Sequence, residues 1–342
     1  MTTTNEVRAI GQTAALPVTS ARSLVPTTIP EPVPGPHDLL VKVRAVSVNP
    51  VDVKLRGGSE PDGGVRVLGF DASGTVRAVG DAVTLFAPGD EVFYAGAIDR
   101  PGSNAELQLV DERIVGRKPS TMSHTEAAAL PLTAITAWES LFDKLRITPD
   151  ATGTLLVVGG AGGVGSIAIQ LVRTMLPGVR VIATASRSES EAWVRNLGAH
   201  EVVDHHGDLA AQVLDVAPDG IEWILTTNSA GQLPAYEQVL RPFGQIVAID
   251  DPEQVDVVLL KSKAITWHWE FMFARSLHGA ADLAEQHRIL DEVADLVDTG
   301  HIRGTATTVL RPITAETLRE AHRLVESGRV IGKVVLTDEP AA

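Results

Sequence analysis

Along residues 40–48, Leu40-Val41-Lys42-Val43-Arg44-Ala45-Val46-Ser47-Val48, apolar and polar positions alternate, which predicts a half-buried strand with Val41, Val43 and Ala45 on one face. Through the first 120 residues apolar runs stay short, and turn-forming pairs recur at Gly57-Gly58, Gly63-Gly64, Gly80-Asp81, Gly89-Asp90 and Pro101-Gly102. Short strands broken by such turns predict a β-rich barrel or sandwich. The pattern changes near Ser123. Runs rich in β-branched residues at 155–158, 179–184, 201–203, 221–225 and 245–249 alternate with helical periodicity, as at 167–175 and 189–197. Strict alternation of strand and helix predicts an α/β domain, a doubly wound parallel sheet covered on both faces. Beyond about residue 275 the pattern is mixed: a helix over 281–299, a strand at 305–310, a helix over 314–327 and a closing strand at 331–336. This last part reads as rejoining the β-rich domain, so the expected division is 1–125, 126–274 and 275–342.

Composition narrows the chemistry. The 342 residues are 44% hydrophobic and 21% charged, the balance of a chain that buries a large core. A formal net charge of −14 opposes contact with a nucleic-acid backbone or an anionic membrane surface, and no basic patch offsets it. There is no cysteine, which removes disulfides, thiolate metal sites, iron–sulfur clusters and thiol nucleophiles at once. The first ten residues lack the basic segment and apolar core of a secretory signal, and the longest uncharged apolar stretch, 127–138, is too short to span a bilayer. A cytoplasmic protein is the expectation.

The strand at 155–158 runs into Gly160-Ala161-Gly162-Gly163-Val164-Gly165, and a helical pattern follows. Glycine is required where a backbone turns tightly and approaches a diphosphate without a Cβ, while amides at a helix start face the negative charge. A second strand close behind makes this a dinucleotide site rather than a bare glycine turn. At the end of that second strand an acid would bind the ribose hydroxyls of NAD; the chain instead reads Ala183-Thr184-Ala185-Ser186-Arg187-Ser188. Ser186 and Arg187 suit a 2′-phosphate, so NADP(H) is the expected cofactor. Glu189 and Glu191 follow on the next helix and are expected to face away.

Gly69-Phe70-Asp71-Ala72-Ser73-Gly74-Thr75-Val76, with Val79-Gly80 and Phe86-Ala87-Pro88-Gly89-Asp90-Glu91-Val92 behind it, resembles the catalytic-domain signature of the medium-chain dehydrogenase/reductase superfamily. Joined by Asn49-Pro50-Val51-Asp52, Ala128-Ala129-Leu130-Pro131-Leu132-Thr133 and Ala161-Gly162-Gly163-Val164-Gly165-Ser166, the chain resembles its zinc-independent, quinone-oxidoreductase-like branch. Trp267-His268-Trp269-Glu270-Phe271-Met272 and Glu326-Ser327-Gly328-Arg329 are similar to a group often labelled zinc-type alcohol dehydrogenase-like. The resemblance implies a Rossmann domain beside a GroES-like catalytic domain built from both ends of the chain. Where zinc-dependent relatives carry a cysteine, a histidine and a second cysteine, the resemblance places Asn49, Phe70 and a position at or near Thr133, and 96–104 lacks the thiols of a structural-zinc lobe. An amide, a phenyl ring and a hydroxyl do not replace those ligands, so no bound metal is expected. Nor do the ten histidines offer a pair at helical i, i+4 spacing; His205 and His206 are adjacent, following the strand at 201–203, and would point opposite ways in extended chain.

By resemblance, the nicotinamide lies in a cleft between the domains near Asn49, Thr133 and Thr136, with Thr226, Thr227 and Ile249 on the sheet side, and His205 lies near the adenosine phosphate. Asp52, Lys54 and Tyr94 are the further catalytic candidates, Lys54 or Tyr94 as proton donor; the alternatives are that Lys54 pairs with Asp52 at the surface and that Tyr94 simply packs. The aromatic run 267–273 suits a pocket for a flat substrate, core packing or a subunit contact. A homodimer is implied by likeness. The leading expectation is an NADPH-dependent reductase of quinones or enones; an alcohol or aldehyde reductase and a low-turnover redox sensor stand as alternatives.

Overall fold

The computed structural model describes residues 5–58, 60–61 and 63–340. In chain order these form β1 (Glu6–Gln12), β2 (Val25–Pro30), β3 (Asp38–Val48), α1 (Pro50–Gly58), β4 (Arg66–Val67), β5 (Ala72–Val79), β6 (Glu91–Tyr94), β7 (Leu107–Asp111), β8 (Val115–Arg117) and α2 (His124–Ala127). There follow α3 (Pro131–Trp138), β9 (Gly153–Val158), α4 (Gly163–Met175), β10 (Val179–Thr184), α5 (Ser188–Leu197), β11 (Glu201–Val203), α6 (Leu209–Val216), β12 (Ile221–Thr226), α7 (Leu233–Val239), β13 (Leu240–Ala248) and β14 (Thr266–Trp269). The chain closes with α8 (Ala274–Leu277), α9 (Glu285–Asp298), β15 (Ala306–Leu310), α10 (Ala315–Glu326) and β16 (Lys333–Thr337). Two units result, Met1–Leu132 with Phe273–Ala342, and Thr133–Met272.

In the first unit, β3 organises the larger sheet, whose order is β15-β16-β3-β5-β6-β8, with β7 also paired to β3. The strand is eleven residues long, and its first half pairs with β7 while its last residues pair with β16. Its register slips between Leu40 and Val41 and again between Val43 and Ala45, so the simple alternation expected for it is interrupted, and Ala45 to Val48 are all buried. The closing strand β16 is buried along its whole length and sets Val334 opposite Val48. That register carries Lys333 to the point where β3 gives way to α1. Pro50 opens α1, where its missing N–H has no cost, and Asp52 reaches back to the Asn49 N–H at 2.8 Å, as the returning half of a capping box does.

The second unit is a six-stranded sheet in the order β11-β10-β9-β12-β13-β14, parallel throughout. Counted from β9 this is 3-2-1-4-5-6, the doubly wound order of dinucleotide-binding domains. One face buries Leu156, Ile182, Ile224 and Ile246 from four strands against Val213 of α6 and Tyr236 of α7. On α4, Ile167, Ala168, Ile169, Leu171 and Val172 are fully buried. The strand β14 overlaps the start of the aromatic run 267–273; it is the sheet's edge, Trp269 is half exposed, and the Trp267 and Trp269 rings meet edge to face at 5.2 Å. Met272 and Phe273 from the same run are core residues. The strand β11 ends at Val203, as expected, and the His205 and His206 rings lie 4.3 Å apart in the exposed turn that follows. Among the described residues no helix is long and apolar enough to cross a membrane.

Candidate functional site

The chain order in the sheet reverses between β9 and β12, and at the carboxyl ends of those strands stands the glycine turn. Gly159 has φ +79°, and a Cβ there would lie 2.2 Å from Thr227 Oγ1. A Cβ on Gly160 would meet the Ala183 Cβ at 2.9 Å, and one on Gly165 would meet the Gly159 carbonyl at 2.5 Å, so three glycines are dictated by packing. Gly162 differs. A Cβ there would approach nothing closer than the Gly159 carbonyl at 3.4 Å, so its lack of a side chain keeps the space before α4 open. Gly162 caps α4, whose first turn, with Gly163, Val164 and Gly165, holds no acid and whose leading N–H groups have no carbonyl within the helix to bind. The turn is fixed on both sides, by Thr184 Oγ1 accepting the Gly159 N–H at 2.9 Å and by Thr227 Oγ1 donating to the Val158 carbonyl at 3.3 Å.

Beyond β10, Ser186 and Arg187 are half buried, and Arg187 caps α5 through reciprocal bonds with Ser190. Glu189 and Glu191 are exposed, the latter paired with Arg195 one turn on. No carboxylate therefore occupies the strand end. Thr226 is fully buried and its hydroxyl is engaged by the Tyr236 hydroxyl at 2.8 Å and the Asn228 N–H at 3.1 Å, which makes it a packing residue rather than a ligand contact. Thr227 and Ile249 are half buried at the ends of β12 and β13, and His205 is exposed beyond β11. Thr133 and Thr136 share one face of α3, both buried.

In the first unit, Asn49, Asp52, Asp71 and Lys333 form a buried polar cluster, none more than 4% exposed. The Asn49 amide donates to Asp71 Oδ2 at 2.7 Å and to the Phe70 carbonyl at 3.3 Å, and its oxygen accepts from Lys333 Nζ. Lys333 also donates to Asp71 Oδ2 at 2.9 Å and to the Val48 carbonyl at 3.2 Å, which uses all three ammonium hydrogens. Asp71 accepts further from Ser47 Oγ and from the Leu132 N–H, each at 2.8 Å. Both Asn49 hydrogens are thus spent inside the protein, and the ammonium at one end with the carboxylate at the other fixes which way the amide points. Sequence reasoning misses Asp71 and Lys333 as members of the site. The signal for Asp71 lies in the Gly69–Val76 run, whereas nothing near Lys333 announces it.

Burial alters the roles expected for Asp52, Lys54 and Tyr94. Asp52 is 1% exposed, so it forms no surface pair with Lys54, which is exposed on α1. Tyr94 does end a strand, but it is fully buried, its hydroxyl has no partner, and burial pushes the phenol well above its ordinary range. A phenol so disposed is a packing residue and a poor proton donor. Ser73, His124 and Glu91 stand in line at 2.8 and 3.2 Å, yet Ser73 is fully buried and donates to the Val92 carbonyl, so no serine nucleophile is presented.

Of the positions aligned with zinc ligands, Asn49 is clamped between an ammonium and a carboxylate, and Phe70 packs edge to face on Phe273 at 5.3 Å. Among the described residues no three His, Cys, Asp or Glu side chains cluster as a metal site.

Comparison with known proteins gives a consistent picture. Residues 35–120 match the family described as alcohol dehydrogenase GroES-like domain, and residues 197–336 match the family described as zinc-binding dehydrogenase. A zinc-type alcohol dehydrogenase-like protein of Staphylococcus aureus (strain MSSA476) is 43% identical over 312 residues, covering 90% of this chain and 92% of the relative. The mitochondrial NAD(P)H oxidoreductase RTN4IP1 of Danio rerio is 31% identical over 341 residues, covering 88% of this chain and 84% of the relative. The crystal structure of an alcohol dehydrogenase superfamily protein from Novosphingobium aromaticivorans superposes with a TM-score of 0.86 at 30% identity, covering 98% of this chain and 100% of that one.

Proposed function

Since the chain belongs to the medium-chain dehydrogenase/reductase superfamily of nicotinamide-dependent oxidoreductases, we propose that it reduces a quinone, or a similarly activated alkene or carbonyl compound, with NADPH and without zinc. A bound nicotinamide coenzyme supplies the hydride. The chain's own share is binding, orientation and exclusion of water. The start of α4 offers N–H groups and the positive end of a helix to the diphosphate, and Gly162 leaves the backbone accessible. Ser186 and Arg187, with no acid beside them at the end of β10, favour a 2′-phosphate; a charge-assisted hydrogen bond of this kind contributes about 1.5–3 kcal/mol. Thr227 and Ile249, at the carboxyl ends of β12 and β13, are placed for the nicotinamide half.

The observation that carries the metal-free reading is the clamped Asn49 amide. A divalent cation needs lone pairs turned toward it, and here the amide nitrogen faces a carboxylate while its oxygen already faces the Lys333 ammonium. The donor set does not fit zinc, whatever the relatives are called. Without a Lewis acid an unactivated alcohol is a poor substrate, because its alkoxide must be stabilised. A quinone spreads the developing negative charge over its own ring and carbonyls, so a few hydrogen-bond donors and a solvent proton suffice.

The test is NADPH oxidation with 1,2-naphthoquinone and 9,10-phenanthrenequinone against a panel of simple aldehydes, repeated with NADH. We expect turnover with the quinones, little with the aldehydes, and a preference for NADPH. Turnover confined to aldehydes would replace this reading with a carbonyl reductase, and tight NADPH binding with no oxidation of it in either panel would replace it with a nucleotide-binding sensor.

A further inference from the structure

Buried charges must balance, or the surplus group keeps its proton. The cluster around Asn49 contains two carboxyl groups, Asp52 and Asp71, and one ammonium, Lys333. Lys333 and Asp71 pair at 2.9 Å, and the remaining ammonium hydrogens go to Asn49 Oδ1 and the Val48 carbonyl. No counter-ion in the cluster is left for Asp52. Its Oδ2 accepts the Asn49 N–H at 2.8 Å, while its buried Oδ1 accepts no hydrogen bond of good geometry, the Gly69 N–H being the one further backbone donor that bears on the carboxyl. An unpartnered, fully buried carboxyl oxygen is costly as part of an anion and much less so as O–H.

The neighbouring elements do not change this balance. On α1 itself Lys54 is exposed, and the buried Arg56 is paired with Glu326 of α10 and bonded to His322 Nδ1 at 3.3 Å. His322 is held neutral, pushed down to about 3 by burial and by Arg56. The charges that bear on Asp52 are Lys333, which favours its anion, and Asp71, which opposes it. Burial outweighs Lys333 and the backbone donors Asn49 and Gly69, and the carboxyl is pushed up to about 7.

We propose that Asp52 is a positioning residue that acts in its protonated form: neutral, it leaves Lys333 to Asp71 and the Asn49 amide; ionised, it competes for the ammonium and unlocks that amide. The protonation stands on the cluster alone, whereas the kinetic consequence rests on the reductase reading above. The proton is held at low pH and lost as pH rises through neutrality, so activity is fullest on the acid side and declines on the alkaline side.

Infrared difference spectra of wild type minus Asp52→Asn test the proton directly. We expect a protonated-carboxyl band at about pH 6 that disappears by about pH 9. Kinetically, wild-type kcat with a quinone falls about tenfold per pH unit above the ionisation, and Asp52→Asn lacks that limb. NADPH affinity by calorimetry shows no matching pH break in either protein, as the phosphate contacts proposed for it are at α4 and α5. Lys333→Met, which removes the charge that favours the anion, moves the Asp52 band to higher pH. Absence of the band at about pH 6 overturns the proposal, and if Asp52→Asn does not fold, titration of aspartate-labelled wild type decides the point by itself. Persistence of the alkaline limb in Asp52→Asn overturns the positioning role. Failure of wild type to oxidise NADPH with any quinone would sink the reductase reading, and the carboxyl band would then decide the protonation of Asp52 without kinetics.

Discussion

On the proposed reading, Arg187 carries the difference between two coenzymes that are otherwise identical in the parts that bind a glycine turn. It is half buried at the start of α5, and the acids that follow it point to solvent. Replacing it by Glu puts a negative charge where a 2′-phosphate is expected, while NADH brings only ribose hydroxyls there. Arg187→Glu should therefore weaken NADPH binding by about tenfold or more and leave NADH within about twofold, measured by fluorescence titration; equal losses for both would contradict the assignment. At the same scale, the reach of sequence reading is uneven. Asn49 and Asp52 are readable because they stand three residues apart on one turn. Lys333 is not, because it meets Asn49 across 284 residues of chain, a distance that no local pattern encodes. Tyr94 shows the opposite limit: a hydroxyl at a strand end is easy to nominate, and only packing reveals that it is sealed in the core.

In the strand–turn–helix formed by β9, the glycine turn and α4, close packing fixes Gly159, Gly160 and Gly165, whereas a Cβ on Gly162 would meet only an ordinary contact. Gly165→Ala would press a Cβ against the Gly159 carbonyl at 2.5 Å and the Gly160 Cα at 2.7 Å, backbone atoms that cannot swing away. A loss of about 1–3 kcal/mol in denaturant unfolding is expected. Gly162→Ala meets no such contact and should cost only a few tenths of a kcal/mol at this cap, yet weaken NADPH by about tenfold, because its methyl group intrudes on the open space before α4. The reverse ranking would show that the turn serves packing alone. Elements of the parallel sheet are legible because buried β-branched runs stand between amphipathic helices: the expected bounds of β10 and β11 are those observed, Val179–Thr184 and Glu201–Val203. The edge strand β14 is not, since Thr266–Trp269 mixes aromatic and polar residues and has a partner on one side alone. Register slips in β3 are likewise invisible to a period-two pattern, which assumes unbroken pairing.

Across the whole molecule, the decisive connection is the return of the last segment to the first unit, where β16 pairs with β3. Mixed helix and strand after residue 275 point to that return, and the pairing explains its chemical consequence, since it delivers Lys333 to Asn49 and Asp71. Relatives named for zinc share this architecture, but a fold is a scaffold and the donor set decides what it binds. In this chain Asn49 and Phe70 put an amide and a ring where the resemblance implies ligands, and a fixed ammonium stands beside the amide. The most direct test is single-turnover oxidation of NADPH by 9,10-phenanthrenequinone, using protein dialysed against chelator and shown by elemental analysis to be free of zinc. The account predicts full hydride transfer at a rate unchanged by adding zinc back; a protein inert until one zinc per chain is restored would contradict it.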